Sequence, residues 1–193
     1  GESNAELVPS TVVPPMASCG CKTVAGLEPV PGGSAHKINQ DRGLALWPFK
    51  EKEVDGLFGV YDGHGRIGQE VSEYVIQTLP HVVADMMDGE EDVGEVLRQA
   101  YVSVDQTLAD NVDAGVSGTT AVTCFVRNNH IWIANAGDSR AVICRKKPKG
   151  GFTAVDLSVD QKPDTPAEMR RILQMGGHVT PAGANGSPPP GGA

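Results

Sequence analysis

Cysteine is scarce in this chain: Cys19, Cys21, Cys124 and Cys144 are the four in 193 residues, too few and too scattered to staple a domain of this size. A disulfide scaffold is excluded, and a reducing compartment, cytoplasm or nucleus, is the expected home. No apolar run approaches the roughly 20 residues that span a bilayer. The first thirty residues also lack the basic-then-apolar order of a secretion signal, so a soluble chain with no membrane span is expected. Positive charge is in short supply as well. Sixteen Lys and Arg against 24 Asp and Glu leave a formal charge of -8, which repels nucleic acid and anionic lipid surfaces alike. No segment of 20 to 50 residues recurs, so nothing points to a repeat architecture.

What remains is enough chain for one domain with ragged ends, expected to act as a monomer. Residues 1–35 carry prolines at 9, 14, 15, 29 and 31 and no sustained period, which reads as a flexible lead-in with a short strand near Thr23 to Ala25. The domain proper is expected over 36–180, and 181–193 reads as a Gly/Pro-rich tail or loop. The first residue is not Met and the last are Pro-Pro-Pro-Gly-Gly-Ala, so both ends read as fragment boundaries.

Within the domain, Gly56 to Tyr61 reads as a buried strand that stops at Asp62-Gly63-His64-Gly65. From Ile67 the apolar residues switch to helical spacing as far as Met86, with a kink or break expected at Pro80, which removes a backbone donor. A second helix is written by Val93, Val96, Leu97, Ala100, Tyr101, Val104 and Leu108, after an acidic entry at 88–92. Thr120 to Val126, Ile131 to Asn135, Ala141 to Cys144 and Phe152 to Leu157 read as strands in antiparallel hairpins. Thr165-Pro166-Ala167-Glu168 has the form of a capping box opening a helix that runs to Met175. Helices segregated from hairpin strands argue for an α+β fold.

Asp62-Gly63-His64-Gly65 carries the most chemical information. A carboxylate at the rigid end of a strand, beside glycines that let backbone approach closely, supplies the oxygen donors that hard divalent cations require. Alone, the string would read as a plain strand-to-helix turn. It does not stand alone. Asn39-Gln40-Asp41, Val60 to Gly65, Ser117-Gly118-Thr119-Thr120-Ala121-Val122, Asn135 to Val142 and Leu157 to Pro163 follow in order.

Together these five strings resemble the successive signatures of the PP2C (PPM) metal-dependent protein serine/threonine phosphatases, over roughly residues 37–180 and the N-terminal two thirds of that domain. The resemblance implies a four-layer αββα sandwich of two antiparallel sheets flanked by helices, with its C-terminal part missing. It also implies hydrolysis of phosphoserine and phosphothreonine in phosphoprotein substrates. Two or three Mg²⁺ or Mn²⁺ ions would be held by a bridging Asp62, the Gly63 carbonyl, Asp41 and Asp138. His64 matches the position proposed as general acid. The chemistry is consistent: phosphate monoesters resist water so strongly that accelerations reach about 10²¹-fold. Two ions about 3.5 to 4 Å apart can neutralise the phosphoryl oxygens and hold a hydroxide in line, with no phosphoenzyme. A leaving alkoxide still needs a proton, which a histidine near neutrality supplies.

Where many family members place a phosphate-clamping Arg, this chain has His36, with Lys37 one residue nearer Asp41, so phosphate binding falls to Lys37 and His36. Lysine lacks the bidentate fork of arginine. Gln161 stands where the family usually has His, and two further metal-binding aspartates of the family have no counterpart after Gly186. The 193-residue chain alone is therefore expected to be inactive or weakly active. The alternatives are a catalytically inactive PP2C-like binding or scaffolding module, and a hydrolase of small phosphoesters. Cys19-Gly20-Cys21 has no second pair to make a zinc site and reads as surface thiols, while Cys124 and Cys144 read as small core hydrophobes. His81, His130 and His178 have no partner motif. Arg145-Lys146-Lys147-Pro148-Lys149 sits at an expected hairpin tip and reads as solvated turn or a basic docking patch.

Overall fold

Along 55–64 the odd-numbered residues are buried, Leu57 and Tyr61 completely, whereas Val60 is 49% exposed. Alternation of this kind presents one face of a strand to a core. The strand is one of nine that, with three helices, make up a computed structural model describing residues 19–50, 55–87 and 92–180. In order they are β1 (Leu27–Val30), β2 (Gly33–His36), β3 (Asp41–Leu46), β4 (Asp55–His64), α1 (Gly68–Met86) and α2 (Val93–Asn111). Then follow β5 (Gly118–Thr119), β6 (Ala121–Arg127), β7 (His130–Ala136), β8 (Val142–Lys146), β9 (Phe152–Asp156) and α3 (Pro166–Gln174).

The main sheet runs β3-β4-β6-β7, antiparallel throughout, with the short β5 added to the last residues of β4. β1 with β2 and β8 with β9 form separate hairpins. Both long helices lie on one face of the main sheet. Val75, Leu79 and Val83 of α1 and Val96, Leu97, Ala100 and Val104 of α2 pack there with Leu57, Tyr61, Ala121 and Phe125. Each valine or leucine among them, fully buried, contributes about 1.5–3 kcal/mol. The other face carries Ala45, Phe58, Val60, Val122 and Cys124 and forms a groove shared with Cys19 to Cys21.

Several local expectations shift. α1 continues through Pro80 without a break, because Val75, Leu79 and Val83 on both sides of the proline are held in the same core. The first strand lies at Leu27–Val30 rather than Thr23 to Ala25, so a hairpin occupies part of the expected lead-in. At α3, Thr165 is the cap residue but its hydroxyl donates to the Lys162 carbonyl, and Glu168 pairs with Arg171, so the box does not close. At α2 the acidic entry does cap: the Asp92 carboxylate accepts from the amides of Gly94 and Glu95 at 2.9 and 3.3 Å. The rest of that acidic run and the tail at 181–193 lie outside the described residues.

At the far end of β4 from Asp62, Asp55 is buried and accepts a two-pronged contact from Arg127, at 3.0 Å from Nε and 2.9 Å from the terminal nitrogen. The same guanidinium lies 5.1 Å from the Phe125 ring centre. Removing one partner of a buried pair strands the other charge, so Asp55→Ala should cost about 3–5 kcal/mol. Urea unfolding should show this as a lowered midpoint at unchanged slope, and a midpoint within error of wild type would contradict the pairing.

Candidate metal centre

Antiparallel register sets Asp41 of β3 directly opposite Asp62 of β4. Residues facing each other in this way share one face of the sheet. Here that face is the one opposite the helices, because their neighbours Arg42 and Tyr61 belong to the helix side, where Arg42 Nε meets Glu73 of α1 at 2.6 Å. Asp62 holds its proton more tightly than an ordinary carboxylate. Partial burial is the largest cause, followed by the like charge and hydrogen bonding of Asp41 and the charge of Asp138, against a smaller opposing effect of His64. Of the residues singled out from the sequence, Asp41, Asp138 and His64 are therefore near enough to bear on Asp62.

Each is fixed by backbone and hydroxyl contacts. The Asp62 amide donates to Thr120 Oγ1 at 3.1 Å, and the Thr120 amide donates back to the Asp62 carbonyl at 2.9 Å. Thr120 Oγ1 also lies 2.6 Å from Ser139 Oγ, the residue after Asp138. One buried hydroxyl thus ties the carboxylate strand to the Gly137-Asp138-Ser139 turn. On the β3 side, the Thr23 hydroxyl donates to Asp41 Oδ2 at 3.0 Å, and Asn39 Oδ1 accepts the Asp41 amide at 3.0 Å.

Gly63 has no room for a side chain: a Cβ there would stand 2.4 Å from the Gly68 carbonyl oxygen and 2.5 Å from that of Gln40. Its amide donates to that Gln40 oxygen at 3.2 Å, which also accepts from Ser72 Oγ at 2.6 Å. Gln40 Nε2 in turn donates to the Gly65 carbonyl at 2.8 Å, where the backbone turns with φ of +84°. The exposed His64 ring lies over Gly118 so closely that a Cβ on Gly118 would fall 2.8 Å from Nε2. Two glycines of the expected motifs are thus accounted for by crowding.

Asp138 sits on a turn held from the segment 160–162. The Gly137 amide donates to Gln161 Oε1 at 3.1 Å, the Gln161 amide donates to the Gly137 carbonyl at 2.9 Å, and Lys162 Nζ stands 3.4 Å from Asp138 Oδ2. Gln161 therefore does a structural job where the resembling family has His. His36 closes β2 and Lys37 follows it, with the Lys37 amide bound to the Gly26 carbonyl at 2.8 Å. Neither is among the charges that act on Asp62.

The donor set suits a hard divalent cation: carboxylate oxygens that repel one another, one of them pushed toward its neutral form until a cation compensates them. Among the described residues, no three His, Cys, Asp or Glu side chains stand close enough together to hold an ion unaided. Thr120, Thr23, Ser139 and Gln161 were not singled out from the sequence as site residues. Thr120, Ser139 and Gln161 lie within motif strings, Gln161 marked besides by its departure from the family residue, and Thr23 lies in none of them.

Thr120→Val keeps the volume and removes the hydroxyl, leaving the Asp62 amide and Ser139 without it. A loss of about 1–3 kcal/mol in stability is expected, with metal affinity down by about 10 to 100-fold as for other residues that orient ligands. Calorimetric titration of Mn²⁺ checks the second number, and Thr120→Ser should restore it; an unchanged affinity for the valine variant would remove Thr120 from this role.

Comparison with known proteins agrees with the arrangement. The family model described as Protein phosphatase 2C matches residues 32–187, slightly wider than the 36–180 expected. A probable protein phosphatase 2C from Oryza sativa subsp. japonica is 38% identical over 152 residues, covering 74% of this chain and 35% of the relative. Protein phosphatase 2C 1 of Paramecium tetraurelia is 34% identical, over 68% of this chain and 46% of its own length. The chain thus spans less than half the length of these relatives. Among solved structures, a serine-threonine phosphatase 2C from Toxoplasma gondii superposes with a TM-score of 0.59 at 23% identity, over 72% of this chain and 50% of that one. A C. elegans sex determining protein gives 0.60 at 24% identity, over 75% and 36%. The likeness places the main sheet and its two helices in the αββα sandwich. With a family model spanning most of its length and its motif carboxylates paired across adjacent strands, the chain belongs to the protein phosphatase 2C family.

Proposed function

We propose that the protein carrying this chain hydrolyses phosphoserine and phosphothreonine in proteins with the help of Mg²⁺ or Mn²⁺, two or three ions in all. The observation that supports this best is the facing pair Asp41 and Asp62, with Asp138 near enough to raise the affinity of Asp62 for a proton. Asp62, Asp41, Asp138 and the Gly63 carbonyl would hold the cations. When bound, these supply charge neutralisation for phosphoryl oxygens and acidify water.

The chain's own residues do the rest. β3 and β4 keep the carboxylates on rigid elements. Thr120 and Gln40 fix the backbone on both sides of Gly63, so the strand end does not relax as charge changes. His64, exposed at the end of β4 and near Asp62, would give a proton to the leaving serine or threonine oxygen. Action as a monomer in cytoplasm or nucleus is part of the same proposal, resting on charge and cysteine usage. In the complete protein, phosphate release from a phosphothreonine peptide should require Mn²⁺ or Mg²⁺ and should stop with chelator. Release only from small phosphometabolites, or release undiminished by chelator, would refute the reading.

A further inference from the structure

Four of the chain's 16 Lys and Arg stand within five residues, Arg145, Lys146, Lys147 and Lys149, at the tip of the β8–β9 hairpin. All four are exposed. Six of the twelve cations elsewhere are matched to carboxylates: Arg42 to Glu73, Arg98 to Glu95, Arg127 to Asp55, Arg140 to Asp156 and Asp160, Lys162 to Asp138, Arg171 to Glu168. Among the described residues the four at the tip have no such partner, although the chain as a whole is acidic. The tip is nevertheless a defined turn. The Gly150 amide donates to the Lys147 carbonyl at 3.1 Å and the Lys147 amide to the Gly151 carbonyl at 3.0 Å, with Gly150 and Gly151 both at positive φ. Beside it Phe152, paired in register with Lys146, is 67% exposed.

The base of this hairpin is pinned next to the candidate metal centre. Arg140, two residues after Asp138, binds Asp160 at 2.8 Å, and Ala141 and Leu157 are joined by a 2.8 Å backbone bond. From there β8 extends five residues, about 15 Å at the rise of a strand. We infer that the β8–β9 tip is a docking surface for an acidic segment of the phosphoprotein substrate, lying about five residues along the chain from the phosphorylated residue. The spacing follows because an extended peptide covers about 3.3–3.6 Å per residue. A short acidic block meets only the basic tip, whereas an extended anionic surface such as a membrane or nucleic acid would also face the surrounding acidic chain. This inference rests on the phosphatase reading above.

The test uses the complete protein and the variant Arg145→Gln/Lys146→Gln/Lys147→Gln/Lys149→Gln, whose exposed changes leave the core alone. Phosphothreonine peptides would carry four aspartates about five residues away on either side, or directly adjacent, or none. Exposed ion pairs are individually weak and screened by salt, so four acting together should lower KM by about tenfold for the distant block on one side. The variant and 0.5 M salt, roughly a threefold rise over physiological strength, should erase that gain. Turnover of nitrophenyl phosphate should be unchanged by the variant. Equal KM for all peptides in the wild type would overturn the inference, as would binding of phosphatidylserine vesicles that the variant loses without any peptide preference. Should no peptide be hydrolysed, the phosphatase reading falls, and docking is then decided by fluorescence anisotropy of the labelled acidic peptide: binding lost in the variant upholds it, and no binding ends it.

Discussion

Asp62→Asn, in the complete protein, is expected to lower phosphopeptide turnover by about three orders of magnitude or more, since the carboxylate proposed to hold the cations, supporting several kcal/mol of charge stabilisation, becomes a neutral amide. Calorimetric titration should show Mn²⁺ affinity falling with it. The same change should make the metal-free protein more stable near neutral pH. Asp62 carries a raised pKa caused first by burial and then by Asp41 and Asp138, so its contribution to folding is full below the ordinary carboxylate range and is lost as pH rises through the folded-state value. Above that value the ionised group is a liability that asparagine lifts, and an amide can donate to Asp41 where a carboxylate cannot. Thermal melts with and without chelator separate the two effects. A variant that binds Mn²⁺ as wild type, or that melts lower than wild type without metal, would show that Asp62 is a structural carboxylate.

That Asp62 and Asp41 belong together could be read from motif order, but the reason they meet could not. Local pattern specifies β4 and α1 because buried and exposed side chains alternate or recur at short intervals, and the chemistry at a strand end demands particular residue types. The contacts that hold the site are long-range: Thr23 reaches Asp41 across 18 positions and Thr120 reaches Asp62 across 58. Hydroxyl residues carry no period that would reveal such partners. Local rules also lose where packing outweighs them. Pro80 sits inside α1 with Leu79 fully buried beside it, and the lost backbone bond is outweighed by the core. At α3 no residue is buried, so the hydroxyl of Thr165 is free to choose the Lys162 carbonyl over a cap. Gln161 illustrates the limit of resemblance: its departure from the family residue marked it, yet only the turn it holds, through the Gly137 amide and the Asn135 carbonyl, gives it a role.

His64→Gln should produce a loss that depends on the leaving group. The ring stands exposed at the end of β4, over Gly118 and within the field of Asp62. A proton donor at that rim helps only where the departing oxygen is too basic to leave unaided. In the complete protein a phosphothreonine peptide should therefore be hydrolysed about 10² to 10⁴-fold more slowly by the variant. Nitrophenyl phosphate, whose phenolate departs without a proton, should lose far less at the same pH and metal concentration. Glutamine retains hydrogen bonding and much of the bulk over Gly118, so the local backbone is preserved and metal affinity should hold. Equal losses on both substrates with Mn²⁺ affinity intact would assign His64 to positioning water or phosphate.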